Sequence, residues 1–486
     1  MNNIINTSIK NLYLNMNFGN VKSVDIINTY ITHIKQLNLK LKAFVYLNET
    51  ASIHLAEQID KKIQNGEHIE LLAGIPIGIK DNIMIQNEPM TSASKYLLNY
   101  IAPYNATVIN KLKKINIICI GRTNMDEFAM GCTTETSIYQ QTVNPWNFEY
   151  IPGGSSGGSA VAVSAGMVPI ALGTDTGGSV RQPASFCGIV GYKPSYGLIS
   201  RYGICALASS FDQIGIFAKS IQDTVSLASH LIGYDHRDPT SEKINCFKEC
   251  NLSTYNRKNF IIGIPKQIMN FNIDKEILQL FNEAINKMEN IGKLKIIEIN
   301  VPAYKYVSAL YKVIMCAEVS SNIATFDGIR YGYRSHKGFD LNDVYSYSRA
   351  ESLGYEVKKR IMFGTYVLSA QNYQKYYYQA QKVRTILIEQ LQDAYKKCDF
   401  IFSPAVLQMP VKLGEMLSDE CDIFLIVANL AGLPGITVPY AFTKYLGLPI
   451  GMHFMGSRFS DIQLLQMAYI FEQLSGFNAS KYPDIK

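Results

Sequence analysis

Two Gly-Gly-Ser loops set inside apolar sequence constrain this chain more than any other feature. The run PGGSSGGSAVAVSAG (152–166) is followed by GTDTGGSVRQPASFCG (173–188), with a strand-like segment at 168–172 between them. Glycine admits φ > 0 and lets backbone come close to a ligand. A flexible linker would be polar throughout, whereas both loops are flanked by residues that belong in a core. Residues 159–166 read as a helix opening just after the first loop, so its amide N–H groups face that loop.

The surrounding pattern is that of an α/β protein. Apolar periodicity predicts helices at 23–37, capped by Ser23, and at 51–63, stopped by Gly66. Strands at 73–79 and 117–120 then alternate with helices at 106–115 and 123–130. Residues 234–260 are polar and aperiodic, as a surface excursion is. A strand at 260–264 and a helix at 277–291 follow, then a mostly helical, Tyr-rich stretch at 304–397. Strands return at 400–403 and 435–439, and a helix at 461–473 closes the pattern. The expectation is one domain over 1–486, with a mixed central sheet covered by helices on both faces. Within it, 1–70 supplies N-terminal helices, 71–235 the loop-bearing core and 300–397 a helical layer.

Composition excludes several classes. With 47% hydrophobic and 18% charged residues, the chain is neither disordered nor a coiled coil. A net charge of +6 is too dilute to argue for nucleic acid. The nine cysteines are scattered without a C-x-x-C, and no His follows Cys246 and Cys250 at zinc spacing. No metal site is expected, and a reducing compartment is. Two uncharged stretches, 151–174 and 423–443, are broken by Gly, Ser, Asn or Pro, so they read as core rather than membrane spans. The N-terminal residues lack the marks of a targeting segment.

Four chemistries compete for the Gly/Ser loops. A P-loop needs a Lys after its last Gly, and none follows Gly158. A dinucleotide fingerprint needs a buried strand before Gly153, where the chain has NPWNFEYIP. A nucleophile elbow would use Ser155 with a later Asp and His. His453, in the apolar LPIGMHFMG, reads more readily as a core side chain than as its base. The fourth chemistry uses a lysine base. Lys80 ends the apolar run LLAGIPIGIK, where an ammonium is expensive to bury. A salt bridge to Asp81 would explain it structurally. Burial also has a use, because a desolvated lysine turns neutral and can take a proton from serine. Moving its pKa from ~10.4 to ~7.5 costs roughly 4 kcal/mol.

Lys80, GGSSGGSA and DTGGSVRQP, with Ser155 75 positions after Lys80 and Ser179 24 further on, resemble the amidase signature family. The resemblance implies a Ser–cis-Ser–Lys triad that cleaves amides. Ser179 would be the acylated nucleophile, Ser155 the bridging serine on a cis peptide and Lys80 the base. The amides of Thr176, Gly177, Gly178 and Ser179 would form the oxyanion hole. GRTNMDEFAMG (121–131), TVNPWNF (142–148), GYKPSYGLISRYG (191–203) and VKKRIMFGTYVLSA (357–370), among further blocks, are similar to the A-subunit branch of that family, found in the aminoacyl-tRNA amidotransferases.

That branch implies a glutaminase half-reaction, with ammonia passed to a partner that amidates Glu-tRNA(Gln) or Asp-tRNA(Asn). It implies B and C subunits in a heterotrimer, tRNA contact mainly through the partner, ATP and Mg2+ held by the partner, no cofactor in this chain, no membrane, and a bacterial cytoplasmic or organelle-matrix location. By family position Arg360 would bind the glutamine carboxylate and Asp422 its ammonium, with Tyr311 beside them. On sequence alone, Lys358-Lys359-Arg360 also reads as a solvated helix face and Asp422 as a helix cap. Leu198, Leu425, Val427 and His453 depart from the family's usual residues. A stand-alone small-molecule amidase and a non-catalytic scaffold are the alternatives; Arg360 with Asp422 bears on the first, the intact triad on the second.

Overall fold

Apolar, β-branched runs build the framework. The computed structural model describes residues 2–244, 252, 260–477 and 482–485. Its strands are β1 Phe44–Leu47, β2 Pro76–Lys80, β3 Ile118–Thr123, β4 Ile170–Asp175, β5 Val190–Lys193, β6 Gln213–Ala218, β7 Ile261–Pro265, β8 Lys295–Ile299, β9 Phe400–Pro404, β10 Gly435–Phe442 and β11 Pro449–Gly456. They form one 11-stranded sheet in the order β1-β3-β2-β4-β6-β5-β10-β11-β9-β7-β8. Parallel pairing at β3-β2-β4 and β9-β7-β8 and antiparallel pairing elsewhere make it mixed. Strands β2, β4 and β11 are buried at every position, as a sheet flanked by helices on both faces requires. The α/β class expected from sequence is the observed one.

The topology puts two key strand ends together. β2 and β4 are parallel neighbours with Ile79 opposite Leu172. Lys80 and Thr174 therefore emerge at the same carboxyl edge, the edge where open α/β sheets bind ligands. The helix Gly157–Ser164, buried along its whole length, leads back from the first Gly/Ser loop toward β4. Between β8 and β9 the described chain is helical, with Val307–Asn322, Leu341–Ser352, Tyr355–Leu368 and Gln379–Tyr395.

Local expectations failed where side chains competed with backbone. The 123–130 helix does not form: β3 runs to Thr123 and only a 3-10 turn, Glu127–Ala129, follows. Asp126 accepts bonds from Thr134 N and Thr136 Oγ1, both at 2.9 Å, while Phe128 and Ala129 take φ of 49° and 62°. Such local bonds to a carboxylate divert the segment from helix. Ser23 is not a cap either. Lys22 holds that position with its N–H on Asp25 Oδ2 at 3.2 Å, and Ser23 N goes to the buried Asp60 Oδ1 at 2.7 Å. The two uncharged stretches resolve into short helices and strands, and among the described residues no helix is long and apolar enough to cross a membrane. Much of the 234–260 excursion, with Cys246 and Cys250, lies outside the described residues.

Candidate active site

Lys80 is completely buried, and its surroundings are hydroxyls rather than carboxylates. Its Nζ lies 2.8 Å from Ser155 Oγ, 2.7 Å from Ser156 Oγ and 3.0 Å from Thr174 Oγ1. Asp81, the structural partner sequence offered, instead pairs with Arg122 at 3.2 Å. Burial outweighs the more distant Asp126, Asp175 and Asp212 and lowers the Lys80 pKa to about 7. Lys193 and Lys219 are lowered similarly by burial, yet each donates to a backbone carbonyl, at 2.9 Å. A depressed pKa therefore does not mark Lys80 out. Its shell of three hydroxyls does.

The first loop carries a cis peptide at Gly154–Ser155. Ser155 O accepts Asp126 N at 3.2 Å, and a side chain at Gly154 would collide with the Asp126 carboxylate. Ser156 Oγ donates to Thr174 O at 3.1 Å, and Asn82 Nδ2 donates to Thr174 Oγ1 at 3.0 Å. Ser156 and Thr174 were not singled out from sequence. The adjacency of Ser156 to Ser155 was a usable signal, whereas Thr174 needs the β2–β4 register.

The second loop is organised by a buried carboxylate. Asp175 takes Gly178 N at 2.9 Å on Oδ1 and Val180 N at 3.1 Å on Oδ2. Arg181 meets both oxygens, Nη2 to Oδ1 at 2.9 Å and Nε to Oδ2 at 3.0 Å, holding the Asp175 pKa well below the carboxylate range against burial. Arg181 also donates to Leu425 O, to Asn429 Oδ1 and to His453 Nε2 at 3.1 Å. A guanidinium only donates, so Nε2 of His453 is an acceptor; burial and the nearby Arg181 both drive its pKa down. His453 is thus a satisfied core residue, 272 positions from its partner. The Gly178 amide is bound to Asp175 and points away from the cavity-side role the sequence reading gave it. Gly178 has φ of +120° and lies under Leu425, and a side chain at Gly177 would strike the Tyr311 ring.

Above this loop opens a cavity of about 200 Å³ whose lining includes Ser179, Gly177, Cys132, Tyr311, Arg360 and Asp422. Lys80 and Ser155 are fully buried behind it, and Ser179, half-buried, stands at its surface. Arg360 Nε is held by Glu356 Oε1 at 2.9 Å and Nη1 lies 3.7 Å from Met315 Sδ, so this residue faces the cavity rather than bulk water. Asp422 occupies the N-cap position of Ile423–Leu430 without a side-chain capping bond. Its Oδ1 is buried and unpartnered among the described residues, and burial with nearby Asp175 raises its pKa to about 7. Leu198, Leu425, Val427 and His453 do not line the cavity. Among the described residues no His/Cys/Asp/Glu group is arranged to hold a metal.

The family profile described as Amidase matches residues 25–465. The chain is 62% identical to the A subunit of the glutamyl-tRNA(Gln) amidotransferase of Endomicrobium trichonymphae, over all of both chains. The Nostoc sp. protein of the same name is 43% identical over 98% of this chain and 99% of that one. Among solved structures, the A subunit of the Thermotoga maritima glutamyl-tRNA(Gln) amidotransferase superposes with a TM-score of 0.77 at 37% identity, covering 95% of this chain and 94% of that one. A Stenotrophomonas maltophilia peptide amidase, 24% identical with 99% of each chain covered and a TM-score of 0.84, shares the fold. The chain belongs to the amidase signature family.

Proposed function

We propose that this chain is the glutamine-hydrolysing component of a tRNA-dependent amidotransferase, working through Lys80, Ser155 and Ser179. The observation that carries the proposal is the hydroxyl shell of Lys80. A neutral amine has two N–H bonds and one lone pair. Ser156 Oγ gives its own proton to Thr174 O and so accepts one N–H; Thr174 Oγ1 accepts the other. The lone pair is left for the Ser155 hydroxyl at 2.8 Å. Ser155 in turn takes the proton of Ser179, whose oxygen attacks the side-chain amide carbon of glutamine. Collapse of the tetrahedral intermediate breaks the C–N bond, and the proton returns through Ser155 to the leaving ammonia. Water then cleaves the Ser179 ester, releasing glutamate and restoring the hydroxyl.

The developing oxyanion is held by the amides of Thr176, Gly177 and Ser179, while Gly178 secures the loop to Asp175. Arg360, with most of its N–H donors uncommitted, takes the glutamine α-carboxylate. The orphaned Asp422 oxygen takes the α-ammonium, and Tyr311 packs the chain of the substrate against the loop. The relatives named as amidotransferase A subunits support the destination of the ammonia: the B and C subunits of a heterotrimer, where ATP with Mg2+ activates the misacylated tRNA, in the cytoplasm. Coexpression with its genomic neighbours and an assay of glutamine-dependent amidation of misacylated tRNA tests this reading. Wild type should amidate; a Ser179→Ala complex should do so only with added ammonia. Glutamine-dependent amidation by Ser179→Ala would overturn it.

A further inference from the structure

Two walls of the cavity come from different parts of the fold. Ala129, Gly131 and Cys132 line one; Glu356, Lys359, Arg360 and Phe363, on the helix Tyr355–Leu368, line the other. The first wall follows a pair of left-handed turns. Phe128 and Ala129 have φ of 49° and 62°, Ser92 and Ala93 have 47° and 51°, and Phe128 N donates to Ser92 O at 2.9 Å. Consecutive non-glycine residues in this region persist only where surroundings hold them.

Glu127 sits in this joint, 5% exposed and outside the cavity lining. Ser94 Oγ donates to its Oε1 at 2.6 Å. It also accepts the N–H of Gly354, at 2.9 Å from Oε2 and 3.2 Å from Oε1. Gly354 is the N-cap residue of Tyr355–Leu368 and has no side chain with which to cap it. The helix start is thus tied to a carboxyl group 227 positions away. A Cβ at Gly354 would overlap Glu127 Oε2, so the contact has no slack.

The geometry points to Glu127 as a positioning residue that fixes the helix bearing Arg360 against the opposite cavity wall, and so sets the grip on the carboxylate end of the substrate. Its substrate clause rests on the proposed function; its structural clause does not. Hydrogen–deuterium exchange on the full chain tests the latter. In Glu127→Ala the amides of the first turns of Tyr355–Leu368 should exchange at least about ten-fold faster, with the far end of the helix unchanged. Calorimetry of glutamine with Ser179→Ala tests the former: adding Glu127→Ala should weaken binding about ten-fold. In the otherwise wild-type enzyme, the same change should raise KM for glutamine with kcat within about two-fold.

Gly354→Ala probes the contact from the helix side. It should weaken binding alone and add little in the Glu127→Ala background, where the obstructing carboxylate is gone. It also serves if Glu127→Ala does not fold. Unchanged exchange in Glu127→Ala, or a harmless Gly354→Ala, overturns the assignment. Failure of Ser179→Ala itself to bind glutamine counts against the substrate clause and the proposed function, and leaves the exchange result to decide the rest.

Discussion

The hydroxyl pocket around Lys80 and the cavity wall in front of Ser179 are built on opposite plans. Behind the loop, Nζ is surrounded at 2.7 to 3.0 Å by Ser155, Ser156 and Thr174, and further bonds hold the Ser156 and Thr174 oxygens. In front, Arg360 keeps donors uncommitted and Asp422 keeps an unpartnered oxygen. A saturated pocket holds one proton-transfer geometry, whereas open polar groups in a cavity wait for a ligand to complete them. The difference teaches where each kind of damage should appear: in kcat behind the loop, in KM before it.

The largest effects should come from the saturated side. Ser179→Ala and Lys80→Met should each lower kcat/KM for glutamine by about 10⁴-fold or more in an ammonia-release assay, with the fold preserved by circular dichroism. On the open side, Arg360→Leu should raise KM by ~10² while leaving kcat nearly intact, since the contact proposed for it is to the carboxylate rather than to the reacting carbon. A kcat collapse in Arg360→Leu would erase the contrast between the two regions.

The pH profile sharpens it further. In the proposed reaction Lys80 acts as the neutral amine, and its pKa is lowered to about 7, so kcat should rise as pH increases through that value. Asp422 is proposed to bind the ammonium as the anion, and its pKa is raised to about 7, so glutamine affinity should also weaken as pH falls through it. Asp422→Asn should remove the limb in affinity and keep the limb in kcat. The smallest effect is expected at His453. Its Nε2 only accepts from Arg181, a role that an amide oxygen fills, so His453→Gln should stay within about two-fold of wild type in steady-state kinetics.

How far these regions were readable in sequence follows from how they are assembled. The mixed α/β sheet and most of its strands followed from apolar runs, although β1, β5, β6 and β8 were not anticipated, being short or lying beside turns. Lys80 and the two serine loops stood out because an ammonium in an apolar strand and glycines in a core both need reasons. The Asp175–Arg181–Asn429–His453 network did not, since its bonded partners lie up to 272 positions apart and look like ordinary core and helix residues. Arg360 illustrates the same limit from the other side. Its Lys-Lys-Arg context reads as a wet helix face, and only the packing of Tyr355–Leu368 against Val307–Asn322, with Gly364 pressed on the Cys316 carbonyl, turns it toward the cavity.

In the proposed reaction Ser179 carries the acyl group while Ser155 only relays a proton to Lys80. Acid-quenching the full chain during glutamine turnover, followed by peptide mass spectrometry, tests it directly. A γ-glutamyl ester should appear on Ser179 in wild type, with none in Ser179→Ala and none on Ser155 in either. A glutamyl adduct on Ser155, or steady ammonia release by Ser179→Ala, would contradict it.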